Sequence, residues 1–339
     1  MTRSFEINVI GVNVRAGQSS GNIVYAFFPA PDFLYVVRVV LSLVALLFGF
    51  DQISREREQG TLKLLLSGPV SRARVLAGKW IGNFLSLAVP FLLVTLLGTA
   101  VLLFDPDVRF TAGQLGRLGL ILGLALLYLA FFLSLGMLVS ALTRRAATSV
   151  IVLLFAWALL VFVLPNLGTL VARQFVSVPS VKALSEKREQ TWTREVLLGI
   201  SRGENWADHM RTISRENDRM EEDYRLKFER LVRLSRNINR LSPAASLLDA
   251  ATEIAGTGIG EEIRLKGEVV RYKNAIIDDI IADRAADRRD GQYQAFVYRY
   301  RPVSEVFAAG ALFDLAWLAV FNVLVFAFAY AGFVRYDVR

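Results

Sequence analysis

The chain has 339 residues, of which 54% are apolar and 21% charged, with a net charge of +8 and a mean hydropathy of +0.42. About two-thirds of the charged residues fall in one block, 173–305, so the rest of the chain is apolar in long runs, as in an integral membrane protein with one large soluble insertion. The absence of cysteine excludes disulfides, thiol catalysis and Cys-ligated metal. His209 is the only histidine, so no His-x-x-x-His zinc motif exists, and its charged surroundings suggest a solvated surface residue. The basic balance does not indicate nucleic acid: signs nearly cancel in the soluble block, and no basic stripe with interleaved aromatics is present.

In chain order, residues 1–32 carry neither a signal peptide nor a span. The stretch FEINVIGVNVRAG within them alternates as a strand would. Five apolar runs follow, at 33–50, 81–104, 118–142, 147–172 and 306–334, each read as a membrane span. The first holds Arg38, close enough to one end for its head to snorkel to the headgroups.

The loop at 51–80, DQISREREQGTLKLLLSGPVSRARVLAGKW, is the most informative segment. It carries Arg55, Arg57, Lys63, Arg72, Arg74 and Lys79 around the apolar stretch from Leu62 to Leu66. That pattern suggests a helix lying on the membrane surface with a partner docked against it. Lys and Arg counted over the short loops place 51–80, 143–146 and the tail 335–339 in the cytoplasm, and 1–32, 105–117 and 173–305 outside.

The outside block reads as helical. From Trp206, apolar residues recur at Met210, Ile213, Met220, Tyr224, Leu231, Leu234, Ile238 and Leu241, with Asn217 interrupting the stripe. A short apolar helix, Ala244 to Ala255, follows Leu241-Ser242-Pro243 and is closed by Gly256. A second amphipathic segment, 261–290, carries Ile263, Val270, Ile277 and Ile280 or Ile281, which completes a helical hairpin joined by the short helix. The expected fold class is therefore an all-α integral membrane protein with five transmembrane helices and an extracytoplasmic helical hairpin domain.

Tests for chemistry return little. The segment from Arg74 to Trp80 lacks the first glycine of a P-loop and has Trp80 where Ser or Thr belongs, so ATP energy has to come from another chain. The acidic run Glu221, Glu222, Asp223 lies between Arg219 and Arg225, as on a solvated helix face. Within the last span, Asp314 is an ionisable group at membrane depth and a candidate for function or for pairing with a neighbouring helix. Asn322 is placed to hydrogen-bond across helices, and Pro165 to kink the fourth span.

Arg55-Glu56-Arg57-Glu58-Gln59-Gly60-Thr61-Leu62, then Leu64-Leu65-Leu66-Ser67-Gly68-Pro69 and Gly78-Lys79-Trp80, resembles the intracellular loop of type-2 ABC exporter permeases. Leu241-Ser242-Pro243, Ala255-Gly256-Thr257-Gly258 and the closing Phe321-Asn322 to Arg339 are similar to the branch with a large outside domain before the last span. The resemblance implies a permease subunit in the cytoplasmic membrane, with no cofactor of its own and with ATP and Mg on a partner ATPase subunit. A second permease chain, the same or homologous, would complete the pathway. It implies that 51–80 holds the coupling helix, with Arg55, Glu56, Arg57, Glu58, Gly60, Thr61, Leu64 and Leu65 as ATPase-coupling residues. Glu56 and Glu58 would form an acidic pair facing the ATPase. The family has six spans against five here, which implies that the first is missing. The alternative reading is an ATPase-coupled mechanotransmitter or scaffold that acts on an envelope partner through the hairpin.

Overall fold

The computed structural model describes residues 3–8, 11–16, 32–62, 67, 70–106, 110–203, 206–285 and 296–335. Nearly all of them are helical. The alternating N-terminal stretch is an antiparallel strand pair, β1 (Arg3–Asn8) and β2 (Gly11–Ala16), with Arg3 opposite Ala16. Five helical stretches are long and apolar enough to cross a membrane: Phe33–Glu58, Arg72–Leu103, Ala112–Leu142, Ala146–Phe175 and Val303–Val334. The expected all-α membrane fold with five spans is therefore the observed one. The chain divides into two compact units, 31–168 with 237–258 and 301–339, and 1–30 with 169–236 and 259–300.

In the first of these, α1 comprises Phe33–Tyr35, a π-helical turn at Val36–Leu41, and Ser42–Gly49. After the short α2 (Ser54–Glu58) comes α3, Arg72–Leu103. At 1.5 Å per residue α3 is roughly 48 Å long against an apolar bilayer thickness of about 30 Å, so its basic first turns project beyond the hydrocarbon. Helix α4 (Ala112–Leu142) begins at a capping box, in which Thr111 Oγ1 accepts from the Gln114 backbone and Gln114 Oε1 accepts from the Thr111 backbone. It is the most enclosed span, with Tyr128, Leu129 and Phe132 fully buried in the main apolar core. Helix α5 runs through Ala146–Ala158, a π turn at Leu159–Val163, and Leu164–Phe175.

Helices α1 and α4 cross at two glycines. A Cβ on Gly49 would lie 2.7 Å from the Leu133 carbonyl oxygen, and one on Gly136 would lie 2.8 Å from that of Leu46. Only hydrogen fits there, so the backbones touch directly, as small residues permit at membrane helix interfaces.

The soluble-looking helices are α6 (Val181–Arg202), α7 (Trp206–Asn239), α8 (Pro243–Ala255) and α9 (Ile259–Ala285). Helix α8 starts as the sequence indicates: Ser242 Oγ accepts from the Ala245 backbone, Pro243 takes the first helical turn, and Gly256 closes the helix at φ 76°. Its place differs from expectation. It is not a link within the outside hairpin. It packs on α4, on the π turn of α5 and on the last span, α10 (Val303–Val306, a π turn at Phe307–Ala311, then Leu312–Val334). Ala244, Leu247, Ala250 and Ala251 are buried in the membrane helices' own core. An Ala-rich face lets a helix approach that closely.

Among the described residues the other unit contains three long helices, not two. Antiparallel neighbours are marked by Arg188–Glu221 (3.0 Å) between α6 and α7, and by Asp218–Lys273 (2.8 Å) between α7 and α9. The α7 stripe is its core in part, since Ile213 is buried and Leu231 nearly so, whereas Leu241 is exposed. Asn217, which breaks the stripe, is itself buried. On α9 Val269 and Lys273 are buried, Lys273 against Asp218, whereas Ile263, Val270 and Ile277 are half-buried. His209 is half-buried against Gly199, whose position has no room for a Cβ beneath the imidazole, and is not a freely solvated residue.

Candidate functional site

The loop after α1 folds back on its own bundle. Ser140 Oγ, from the last turn of α4, accepts from the backbone N–H groups of both Ile53 and Ser54, at 3.0 Å each. Ser149 Oγ donates to the Phe50 carbonyl at 2.7 Å. Ile53 and Leu62 are fully buried and join Leu76, Met137, Ala141 and Phe333 in a separate small core. Burying two such side chains contributes roughly 1.5–3 kcal/mol each. Trp80 flanks this core and donates its Nε1–H to Ser134 Oγ at 2.9 Å.

The charges of α2 are matched to helix ends. Arg57 donates to the carbonyls of Thr143 (2.9 Å) and Ala141 (3.1 Å), at the C-terminus of α4. The next residue, Glu58, accepts from the Ala146 backbone N–H at 3.2 Å, at the N-terminus of α5. A helix carries about half a positive charge at its N-terminus and half a negative charge at its C-terminus. Arg57 and Glu58 therefore satisfy opposite ends of two consecutive spans across the turn at 143–145. Glu56 takes Lys79 Nζ at 2.6 Å, and Lys79 also donates to the Gln52 carbonyl at 2.8 Å, which joins the loop to α3. Arg72 donates to the Val334 carbonyl at 2.6 Å, at the end of α10. One short segment thus touches the same end of all five spans.

The coupling residues expected from sequence divide accordingly. Arg57 and Glu56 are turned into the bundle. Glu58 remains exposed while it holds the α5 terminus. Arg55 projects outward with its side chain 65% exposed, 3.5 Å from Asp51. Gln59, Gly60 and Thr61 are exposed, and Gly60 sits at φ 74°, with no heavy atom within 4 Å of where a Cβ would stand. Only glycine turns there without strain. Leu64 and Leu65 lie outside the described residues.

The membrane-depth candidates are both engaged within the fold. The Asp314 carboxylate is fully buried and meets Arg240 Nε at 2.7 Å. Arg240 also donates to Asn237 Oδ1 at 2.6 Å and lies over the Phe313 ring, 4.5 Å from its centroid. Sequence reasoning missed Arg240. Its signal was an arginine directly before the Leu-Ser-Pro that opens α8. Asn322 bridges helices: its Nδ2 donates to the carbonyls of Leu127, on α4, and Leu318, at 3.0 Å each. Among the described residues no group of His, Asp or Glu side chains is arranged to hold a metal ion.

The described residues thus form a bundle of apolar spans with one braced, charged knuckle. Residues 10–338 match the family described as ABC-2 family transporter protein, and the chain belongs to that family. It is similar to a probable ABC transporter permease protein NosY from Pseudomonas aeruginosa, 33% identical over 150 residues that cover 42% of this chain and 52% of that protein. A second protein of the same name, from Stutzerimonas stutzeri, is 33% identical over 91 residues, which cover 26% of this chain and 33% of the relative. The chain spans about half the length of the first relative and a third of the second.

Proposed function

We propose that this chain is the membrane-spanning permease subunit of an ABC transporter, driven by a separate ATPase subunit that docks on the knuckle 51–80. The observation that carries this reading is the Arg57–Glu58 brace, which ties the knuckle to the ends of α4 and α5. A segment fixed to several spans can pass a push to them, whereas a loose loop would absorb it. The docking surface is the outward side, Arg55, Glu58, Gln59, Gly60 and Thr61; Leu64 and Leu65 are assigned to it from the sequence alone. Mg and ATP belong to the partner, which faces the cytoplasm, and the membrane is the cytoplasmic one. A second permease chain, the same or homologous, completes the pathway, and transport runs outward.

The test is reconstitution with the cognate ATPase. Glu58→Lys places a cation at the positive end of α5 and on the docking surface. We expect the variant to insert in the membrane, lose stimulation of the ATPase and lose transport. Unimpaired coupling in this variant would remove the assignment.

A second reading, an ATPase-coupled mechanotransmitter acting on an envelope partner, is favoured by the size of the soluble unit, whose three helices have 22, 34 and 27 residues. Deleting 185–295 separates the two. Transport of a small molecule that survives the deletion makes the unit accessory, and loss of partner activation alone supports the second reading.

A further inference from the structure

Helix α1 carries a cation that no carboxylate neutralises among the described residues. Arg38 lies in the π-helical turn Val36–Leu41, within the first span. Its backbone is held firmly. The Arg38 carbonyl accepts from Tyr128 Oη at 2.9 Å and from Ser42 Oγ at 2.5 Å, and Ser42 Oγ accepts from Trp157 Nε1 at 2.9 Å. Val37, Ser42 and Tyr128 around it are fully buried. Two other spans, α4 and α5, thus fix where this residue stands.

The guanidinium is treated differently. Its Nε is enclosed without an acceptor, and no carboxylate pairs with it among the described residues, while the side chain as a whole stays part-exposed. The neighbouring spans have none to offer: α3, α4 and α5 contain no Asp or Glu. Asp32 caps the start of α1 through the Tyr35 backbone N–H at 2.6 Å. The Asp314 carboxylate is paired with Arg240. Asp51, the next acidic residue along the chain, lies 13 residues further on, roughly 20 Å away at the helical rise. An unpaired cation in a span is costly and marks a functional site by default. π-turns also concentrate at such sites.

We propose that Arg38 binds an oxyanion, the phosphate group of an amphiphile that reaches it from the bilayer. A guanidinium offers a planar fork that matches phosphate in two parallel hydrogen bonds. Tyr35, one turn before Arg38, is exposed and offers an acyl chain an apolar surface to lie against. The clamp from Tyr128, Ser42 and Trp157 fixes the backbone, so little ordering is left to the binding step.

The experiment uses the full chain in a phosphate-free sugar detergent, with thermal unfolding followed by tryptophan fluorescence. The probes are a short-chain phosphatidylglycerol, the diacylglycerol of the same chains, and inorganic phosphate. We expect the phospholipid to raise Tm by about 4 °C at saturation and the diacylglycerol to have no effect. A rise with the phospholipid alone identifies a lipid-borne phosphate, and an equal rise with inorganic phosphate identifies a free anion at the same site. Arg38→Gln removes the response. Arg173→Gln, at an exposed cation on α5, keeps it. Should Arg38→Gln not fold, Arg38→Lys decides: it keeps the charge and loses the fork, and its affinity falls about tenfold, or 1.4 kcal/mol. No response in the wild type, an undiminished response in Arg38→Gln or Arg38→Lys, or equal loss in Arg173→Gln overturns the proposal.

Discussion

Arg55 and Arg57 stand two residues apart on the same five-residue helix, and replacing each by alanine gives opposite expectations. Arg57→Ala removes two charge-assisted hydrogen bonds, to the Thr143 and Ala141 carbonyls at 2.9 and 3.1 Å. It also removes a cation from the negative end of α4. Hydrogen bonds to charged groups contribute about 1.5–3 kcal/mol net when enclosed, and the helix-end interaction adds up to about 1. Discounting for part exposure leaves about 2 kcal/mol, or about 30-fold in the equilibrium between the docked and the detached knuckle. Arg55→Ala removes an outward side chain, 65% exposed, with one loose ion pair at 3.5 Å. Exposed pairs of this kind are worth between nothing and about 1 kcal/mol, so the docking equilibrium barely moves. Hydrogen exchange of the Ile53 and Ser54 amides, both bonded to Ser140, reads that equilibrium directly. Protection should fall about 30-fold in Arg57→Ala and stay near wild type in Arg55→Ala. Equal protection in the two variants would refute the claim that matched helix ends hold the knuckle.

Gly136→Ala forces a methyl against the Leu46 carbonyl oxygen, 2.8 Å from the ideal Cβ, and should lower stability by about 2 kcal/mol. Gly119→Ala, with nothing within 4 Å, should be neutral, and thermal unfolding in detergent compares the pair. Asp314→Asn strands Arg240 and should cost about 3–5 kcal/mol, seen as lost yield of folded protein; adding Arg240→Met should restore part of it. Tyr298 in the soluble unit has its phenol pushed well above its ordinary 10.0, first by burial and then by the hydrogen bond it donates to Glu261. Because the folded value exceeds the unfolded one, its contribution is complete below pH 10.0 and declines as pH rises beyond it. Tyr298→Phe should lower the amplitude of the last step of the alkaline phenolate titration by one phenol, and an undiminished amplitude would exclude the assignment.

Much of the fold was readable along the chain, because spans, caps and amphipathic stripes are local patterns. Five apolar runs became five spans, and Ser242, Pro243 and Gly256 bounded α8 as their chemistry requires. Segregated charge marked the helices of the other unit but also took in α8, which packs with the spans. The knuckle was recognisable as unusual, from its cations and its embedded apolar run.

What the sequence could not decide was who meets whom. Helix α8 belongs with the spans, although its neighbours in sequence are soluble helices, because an Ala-rich face finds its complement on α4 and α10. Arg240 and Asp314 are 74 residues apart, and Arg57 and Thr143 are 86 apart. Periodicity reports only which face of a helix is apolar. The rotation of that helix, and the pairing of each charge with a particular terminus, depend on packing between segments distant along the chain. The sequence therefore determined most of the helices and the side chains that had to be neutralised, and the tertiary structure chose the groups that neutralise them.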